Sequence, residues 1–372
     1  MNSLAMRRIL VATAFVLAPL VGQETQGGNG KGTAVPRTAE LCDRASERAA
    51  AFRAEHAIPG LSFAFARDAD VVFAGGLGLA DLENDVPANE KTVYRLASIS
   101  KPVTAVAVMQ LVAAGKLELD ADLHGVVPEW PQKPWPVTLR QVLGHLGGVR
   151  HYRLGESEST VHFASQRAGL SRFCDDDLLH EPGTKYRYST YGYSLAAAAV
   201  EVSSGQTFSD YVGMHIATPA KALSLQSDDQ RRILKGRAQG YVRRQGELQN
   251  SALMDSSYKI GGGGLCSNVE DLARFGVALL DGTLLRLEQR AVMATPQTST
   301  DGKSTGYGLG LSIAMRTEHL QWSHSGAQSR VSTALVLLPE SRVVAVVMCN
   351  LEGVPVMKLC QAIADLAASA AH

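Results

Sequence analysis

The stretch RLASISKPVTAV, residues 95–106, contains a serine and a lysine three positions apart, Ser98 and Lys101. Pro102 indicates where a helix begins, because proline lacks an N–H and is tolerated only in the first turn. The apolar run that follows, residues 103–114, is typical of a largely buried helix. Ser98 and Lys101 are therefore predicted to share one face of the first turn, within side-chain reach of each other.

A second S-x-x-K pattern occurs at Ser256 and Lys259. Four glycines, residues 261–264, follow it and do not favour a continuing helix. This context predicts a loop, whereas the positive end of a helix dipole beside Ser98 would favour negative charge developing on its oxygen. Of the two serines, Ser98 is the candidate nucleophile.

The overall composition excludes several functional classes. The chain has 372 residues, 36 Lys and Arg against 36 Asp and Glu, and 45% hydrophobic residues. A nucleic-acid-binding protein should carry a basic excess, so no nucleic-acid partner is expected. The length is sufficient for a large core and for about two domain-sized units.

The N-terminus has a different character from the rest of the chain. Two arginines precede an almost wholly apolar run, residues 9–21, which predicts a signal peptide over residues 1–23 and an exported, periplasmic or secreted protein. A mitochondrial presequence is the alternative. Residues 24–37 are predicted to be a Gly-rich linker. No later stretch is long and apolar enough to predict a membrane span.

The cysteines show no metal-ligand spacing, so neither a metal site nor any other cofactor is predicted. Most of them are expected to be buried small hydrophobic residues. The five are Cys42, Cys174, Cys266, Cys349 and Cys360.

The periodicity of apolar residues predicts an α/β (α+β) fold with an antiparallel sheet built from both chain termini and flanked by helices. The predicted elements are helices at 38–56 and 355–370 and hairpins at 61–74 and 333–350. A mainly helical insertion fills the middle. The predicted catalytic unit, 38–372, comprises a sheet part, 38–115 plus 260–372, and a helical part, 116–259.

Three short motifs, in this order, resemble those of the serine β-lactamase and penicillin-binding-protein family, in its class C-like branch. They are Ser98–Lys101, Tyr188-Ser189-Thr190 and His324-Ser325-Gly326. Tyr-Ser-Thr, with the stretch GVRHY at 148–152, is most similar to the mitochondrial serine β-lactamase-like branch and its bacterial relatives. The resemblance implies a β-lactamase/transpeptidase-like fold. It also implies that the chain can form a homo-oligomer or filament.

A serine hydroxyl needs a base to become a nucleophile at neutral pH. Lys101 can serve if burial and a second cation lower its pKa. Tyr188 is expected to share the acid–base work, with its phenol partly ionised near Lys101; its alternative role is that of a half-buried aromatic residue. The division of work between Lys101 and Tyr188 stays open.

The resemblance further implies an oxyanion hole formed by the backbone N–H groups of Ser98 and Ala327. Gly326 is then expected to let the substrate approach the strand backbone closely. The family resemblance also implies that Cys42 and Cys360 lie near each other on the terminal helices, where a disulfide is one option.

Two departures from the family motifs concern the substrate. His324 replaces the usual lysine and offers less positive charge at pH 7, and Thr190 replaces an asparagine amide. We therefore expect an esterase or peptidase that acts on a small ester or peptide. A true β-lactamase or D-alanyl-D-alanine carboxypeptidase, with Arg150, Arg153 or Arg330 supplying a cation, is the alternative. A second alternative is a filament-forming scaffold with weak or vestigial hydrolase activity.

Overall fold

Strands from both ends of the described chain meet in one sheet, in a computed structural model that describes residues 34–369. The helices are α1 Ala34–Glu55, α2 Ser100–Ala113, α3 Leu139–Leu143, α4 Gln166–Gly169, α5 Thr190–Ser204, α6 Phe208–Val212, α7 Ile260–Gly263, α8 Val269–Asp281, α9 Leu287–Ala294 and α10 Val356–Ser369. The strands are β1 Gly60–Arg67, β2 Asp70–Asp81, β3 Val86–Pro87, β4 Tyr94–Arg95, β5 Gln226–Ser227, β6 Tyr241–Arg244, β7 Glu247–Asn250, β8 Leu265–Ser267, β9 Ser312–Arg316, β10 His319–Gln328, β11 Val331–Leu338 and β12 Val343–Cys349.

The main sheet has seven strands in the order β3-β2-β1-β12-β11-β10-β9, and every neighbouring pair is antiparallel. Its central strand pair joins the N-terminal and C-terminal halves, with Phe63 opposite Val347. The prediction of an antiparallel sheet built from both termini is therefore confirmed.

Both faces of this sheet are covered, which explains why its central strands are apolar throughout. Consecutive residues of β1 belong to two different apolar clusters, one on each face of the sheet. Phe63 belongs to the smaller cluster and Ala64 to the larger one. The smaller cluster lies against α1 and α10, and the larger one includes α2, α5 and α8. Strands buried on both faces lack the apolar–polar alternation of a half-exposed strand.

The middle of the chain contains α3 to α6 and also a hairpin, β6–β7, with exposed residues on both strands. The region from 256 to 264, predicted to be a loop, forms a 3-10 turn, Ser257–Lys259, followed directly by α7. That prediction was wrong because the glycines of α7 are needed for packing. A Cβ on Gly262 would lie 2.4 Å from Thr190 Cγ2.

The linker boundary is corrected, and the disulfide option is not realised. Helix α1 begins at Ala34, inside the predicted linker, because Pro36 falls in its first turn, where proline is tolerated. All five cysteines are free thiols, so Cys42 and Cys360 are not bridged. The predicted leader and residues 24–33 lie outside the described residues. Across residues 34–369, no helix has the length and hydrophobicity to cross a bilayer.

Candidate active site

Ser98 lies in a 3-10 turn, Ala97–Ile99, that leads directly into α2. It is the only residue of the stretch 92–100 that is not buried. Ala97 has φ +48°, a left-handed conformation that is unusual for a residue with a side chain. Such strain persists where surrounding contacts enforce it, often at functional sites. The turn thus presents one hydroxyl to the surface from an otherwise buried segment.

Lys101 is fully buried and its Nζ lies 3.1 Å from Ser98 Oγ, as the one-turn spacing predicts. It also donates to the Gly262 carbonyl oxygen at 2.7 Å and to Thr190 Oγ1 at 3.3 Å. Burial, and secondarily the charge of Lys259, hold the pKa of Lys101 well below the usual lysine value. The three acceptors around Nζ match the three donors of an ammonium, and the lowered pKa makes the neutral, proton-accepting form accessible.

Tyr188 donates from its hydroxyl to Ser98 Oγ at 2.8 Å. Lys101 Nζ lies over the Tyr188 ring, 4.7 Å from its centroid. Burial raises the pKa of Tyr188 above its usual value. The raised pKa favours the protonated phenol, whereas the sequence led us to expect a partly ionised one. Tyr188 is a hydrogen-bond donor to the candidate nucleophile.

The residues after Tyr188 fix its position at the start of α5. Ser189 caps this helix by accepting from the Gly192 N–H, and its hydroxyl donates to the Arg150 carbonyl oxygen. Thr190 is buried, and its Oγ1 is already engaged with Lys101. Thr190 thus supports the lysine directly, although the sequence suggested it as a substrate contact.

Gly326 and Ala327 bring strand β10 beside the nucleophile. A Cβ on Gly326 would lie 2.2 Å from Thr333 Oγ1 and 2.3 Å from the Leu96 carbonyl oxygen. Contact with the turn that carries Ser98 therefore requires glycine here, and the expectation that Gly326 also lets substrate approach the strand stays a prediction. Ser325 and Ala327, on either side of it, are exposed.

The side chain of His324 is buried and fully hydrogen-bonded. Its Nδ1 lies 2.6 Å from the Ser325 carbonyl oxygen and its Nε2 lies 2.9 Å from Tyr307 Oη. Burial first, and then the charge of Lys101, lower the pKa of His324 to about 3. His324 is uncharged at neutral pH, so it supplies no cation at the third motif.

A cavity of about 430 Å³ opens beside Ser98. Its lining includes predicted site residues and others from the middle of the chain: Ser98, His151, Tyr152, Ser157, Glu158, Tyr188, Thr190, Lys259, Gly262, Gly263, Ala327, Gln328, Ser329, Glu352 and Gly353. His151, Tyr152 and Lys259 were not predicted as site residues. The stretch at 148–152 had suggested family membership only, and Lys259 had been assigned to a loop.

His151 and a second histidine support the tyrosine. The ring of His145 stacks at a tilt on Tyr188, with centroids 4.3 Å apart, and its Nδ1 accepts from the Ser189 N–H. His151 Nδ1 accepts from the Thr190 N–H at 3.1 Å. Burial, followed by the charges of Lys101 and Lys259, lowers the pKa of His151 to about 4. Both imidazoles are therefore neutral parts of the site.

None of the three candidate arginines lines this cavity. Arg150 forms ion pairs with Glu156 and Asp176, and Arg153 pairs with the same Asp176. Arg330 donates its backbone N–H to Glu352. Within residues 34–369, no group of three or more His, Cys, Asp or Glu side chains is arranged to hold a metal ion.

The architecture is that of the penicillin-binding-protein and β-lactamase fold. The octameric penicillin-binding protein homologue from Pyrococcus abyssi superimposes with a TM-score of 0.76 at 25% identity, over 86% of this chain and 75% of that one. The Beta-lactamase family model matches residues 45–368. The chain belongs to the β-lactamase family of serine hydrolases, as the sequence motifs indicated.

Curated relatives agree with this assignment. The serine beta-lactamase-like protein LACTB, mitochondrial, of Homo sapiens is 28% identical over 80% of this chain and 74% of its own length. Penicillin-binding protein 4* of Bacillus subtilis (strain 168) is 25% identical over 77% of this chain and 67% of its own length.

Proposed function

We propose that this chain is a serine hydrolase that cleaves an ester or amide through an acyl-enzyme on Ser98. The observation that carries the proposal is the pair of contacts at Ser98 Oγ, with Lys101 Nζ at 3.1 Å and Tyr188 Oη at 2.8 Å. A hydroxyl between a base and a protonated donor is suited to nucleophilic catalysis.

In the first step, neutral Lys101 accepts the Ser98 proton while Oγ attacks the substrate carbonyl carbon. The oxyanion accepts hydrogen bonds from the backbone N–H groups of Ser98 and Ala327. Tyr188 gives its hydroxyl proton to the leaving group and is reprotonated by the proton that Lys101 took. Water then attacks the acyl-enzyme, returns the hydroxyl to Ser98 and releases the acid.

The substrate in this proposal is an ester or peptide-type amide, and penicillins are poor substrates. Uncharged His324 and the engagement of Thr190 with Lys101 support this choice. A β-lactamase or D-alanyl-D-alanine carboxypeptidase would need a cation for the substrate carboxylate at the third motif. Rapid hydrolysis of nitrocefin by the pure protein would refute the ester and amide assignment.

The test of the mechanism is intact-mass spectrometry after incubation with a fluorophosphonate and, separately, with a penicillin. We expect a fluorophosphonate adduct that is absent in Ser98→Ala and no stable penicillin adduct. Adducts with both reagents would favour the penicillin-recognising enzyme. No adduct with either would contradict the hydrolase.

Self-assembly is a second role, supported by the octameric state named for the Pyrococcus abyssi homologue. Light scattering of the purified protein would give one mass near that of a single chain if the chain does not assemble. A larger, defined mass or filaments in negative-stain images would support assembly.

The leader predicted for residues 1–23 would direct the chain to export or to mitochondria. The mitochondrial name of the human relative supports the second destination. Cell fractionation with N-terminal sequencing of the mature chain would distinguish them.

A further inference from the structure

Lys259, the lysine of the second S-x-x-K pattern, lines the same cavity as Ser98. It is only 2% exposed, and its Nζ donates to the Ser157 carbonyl oxygen at 3.2 Å. The ammonium group also lies 4.9 Å from the ring centroid of Tyr152 and 5.3 Å from that of Tyr258. Its position beside the cavity is therefore fixed by one hydrogen bond and two aromatic rings.

No carboxylate among residues 34–369 forms an ion pair with Lys259, and the charges that act on it are mainly positive. Burial first, and then Arg95 and Arg172, lower its pKa to about 7, whereas exposed Glu158 raises it slightly. A buried ammonium without a counter-ion is costly, because it has lost its hydration. A bound anion would supply the missing partner.

The two carboxylates that line the cavity are not the missing counter-ion of Lys259. Glu158 is exposed, and half-buried Glu352 accepts the backbone N–H of Arg330 at 3.0 Å. Lys259 is thus the buried charged side chain in the lining. The cavity thus offers a partly protonated amine, which a bound carboxylate would hold in its charged form, at a site other than the third family motif, where His324 is neutral.

We propose that Lys259 binds a carboxylate of the substrate, so that the acyl donor cleaved at Ser98 is an ester or amide whose carboxylate lies at Lys259 and not, as a penicillin-recognising enzyme would require, at the third motif. This inference rests on the proposed hydrolase function and specifies its substrate class. The alternative is a lysine that only supports the loop around Ser157.

Two pairs of esters test the inference, and the members of each pair differ by one carboxylate. 4-Nitrophenyl valerate and mono-4-nitrophenyl glutarate place the carboxylate on the acyl side, whereas phenyl acetate and 4-carboxyphenyl acetate place it on the leaving group. Hydrogen bonds to charged groups are strong, so the native protein should prefer the carboxylated member of at least one pair by about tenfold or more in kcat/KM. The preference should appear mainly in KM.

Lys259→Met should remove this preference, and Lys259→Arg should retain part of it. Lys133→Met is the matched control, because Lys133 also lies over an aromatic ring, that of Trp130, and donates to carbonyl oxygens away from the cavity. It should keep the full preference. Because the readout is a ratio between two esters, a general loss of activity in a variant does not affect it. No preference in the native protein, or one that survives in Lys259→Met, overturns the inference.

Failure of the inference is distinguishable from failure of the hydrolase proposal. A protein whose Ser98 reacts with fluorophosphonate but shows no preference that depends on Lys259 is a hydrolase without this carboxylate site. If Ser98 does not react, calorimetric titration of Ser98→Ala with glutaric acid monomethyl ester still tests Lys259. Binding at least about tenfold weaker in Ser98→Ala/Lys259→Met supports the site, and equal or undetectable binding in both overturns it.

Discussion

The two S-x-x-K segments have the same pattern and similar local structures, yet only one forms a serine–lysine pair. Both begin with a 3-10 turn that leads directly into a helix, and both lysines are buried. Lys101 lies 3.1 Å from Ser98 Oγ. In the second segment, Lys259 turns to Ser157, and Ser256 Oγ is buried with no hydrogen-bond partner among the described residues.

The difference between the segments comes from their neighbours. The turn at Ser98 is held against strand β11 by Thr333, whose hydroxyl donates to the Leu96 carbonyl oxygen at 2.9 Å. Lys101 is held by Gly262 and Thr190, which leaves its third contact for the serine. The second segment supplies one of these contacts, since Gly262 belongs to α7. The two patterns are thus parts of one site with different tasks.

The largest expected effect is the difference between two single substitutions, Ser98→Ala and Ser256→Ala. Ser98→Ala should lower ester hydrolysis roughly 10⁴- to 10⁶-fold, because the nucleophile is lost. Ser256→Ala should change kcat/KM by less than about threefold, because it removes an unpaired buried hydroxyl, which can be nearly neutral. Steady-state kinetics on a nitrophenyl ester measures both. Equal losses would contradict the assignment of the nucleophile.

Removing the base should have the next largest effect. Lys101→Met should lower kcat/KM by about 10²- to 10⁴-fold, the usual contribution of a general base. In the native protein, activity should fall as pH decreases through the pKa of Lys101, since only the neutral amine accepts a proton. That limb should lie well below the ordinary lysine pKa of about 10.4.

After burial, the charge of Lys259 is the second cause of the lowered pKa of Lys101. Lys259→Met should therefore raise that pKa and move the acid limb of the pH–rate profile to higher pH. Ser256→Ala is the control and should leave it in place. An acid limb that does not move in Lys259→Met would show that the two lysines are not electrostatically coupled.

Tyr188→Phe tests the donor to Ser98 Oγ while keeping the ring that packs on His145. We expect a loss of roughly 10²-fold in kcat, the lower range for an acid–base residue. Circular dichroism and thermal unfolding should be close to those of the native protein. A variant with native kcat would return Tyr188 to a structural role.

The smallest expected effect is that of a substitution in α7 that pushes the two S-x-x-K segments apart. Gly262→Ala places a Cβ 2.4 Å from Thr190 Cγ2, and overpacking of this kind costs about 1–3 kcal/mol of unfolding free energy. The shift of α7 should also disturb the contact between Gly262 and Lys101. Gly125→Ala is a control, because its Cβ would meet nothing within 4 Å. Equal chemical-denaturation midpoints for the two variants would contradict this account.

Much of this site could be predicted from the sequence because it depends on local rules. Pro102 and the apolar run after it indicated a buried helix that begins close to Ser98, and helical spacing put Lys101 within reach. Strand patterning similarly predicted the two hairpins at the sheet centre. The glycines of α7 gave a wrong prediction, since helix propensity does not register a close approach to Thr190.

By itself, the sequence determined which segments form helices and strands and which hydroxyl stands at the start of a buried helix, because periodicity and proline act over a few residues. Only the tertiary structure decided which lysine meets a serine, that Tyr188 stays protonated, and that His324 is neutral. Those properties depend on burial and on partners more than a hundred residues away, such as Gly262 for Lys101. Desolvation of a charge is set by the whole surrounding fold, and no short pattern encodes it.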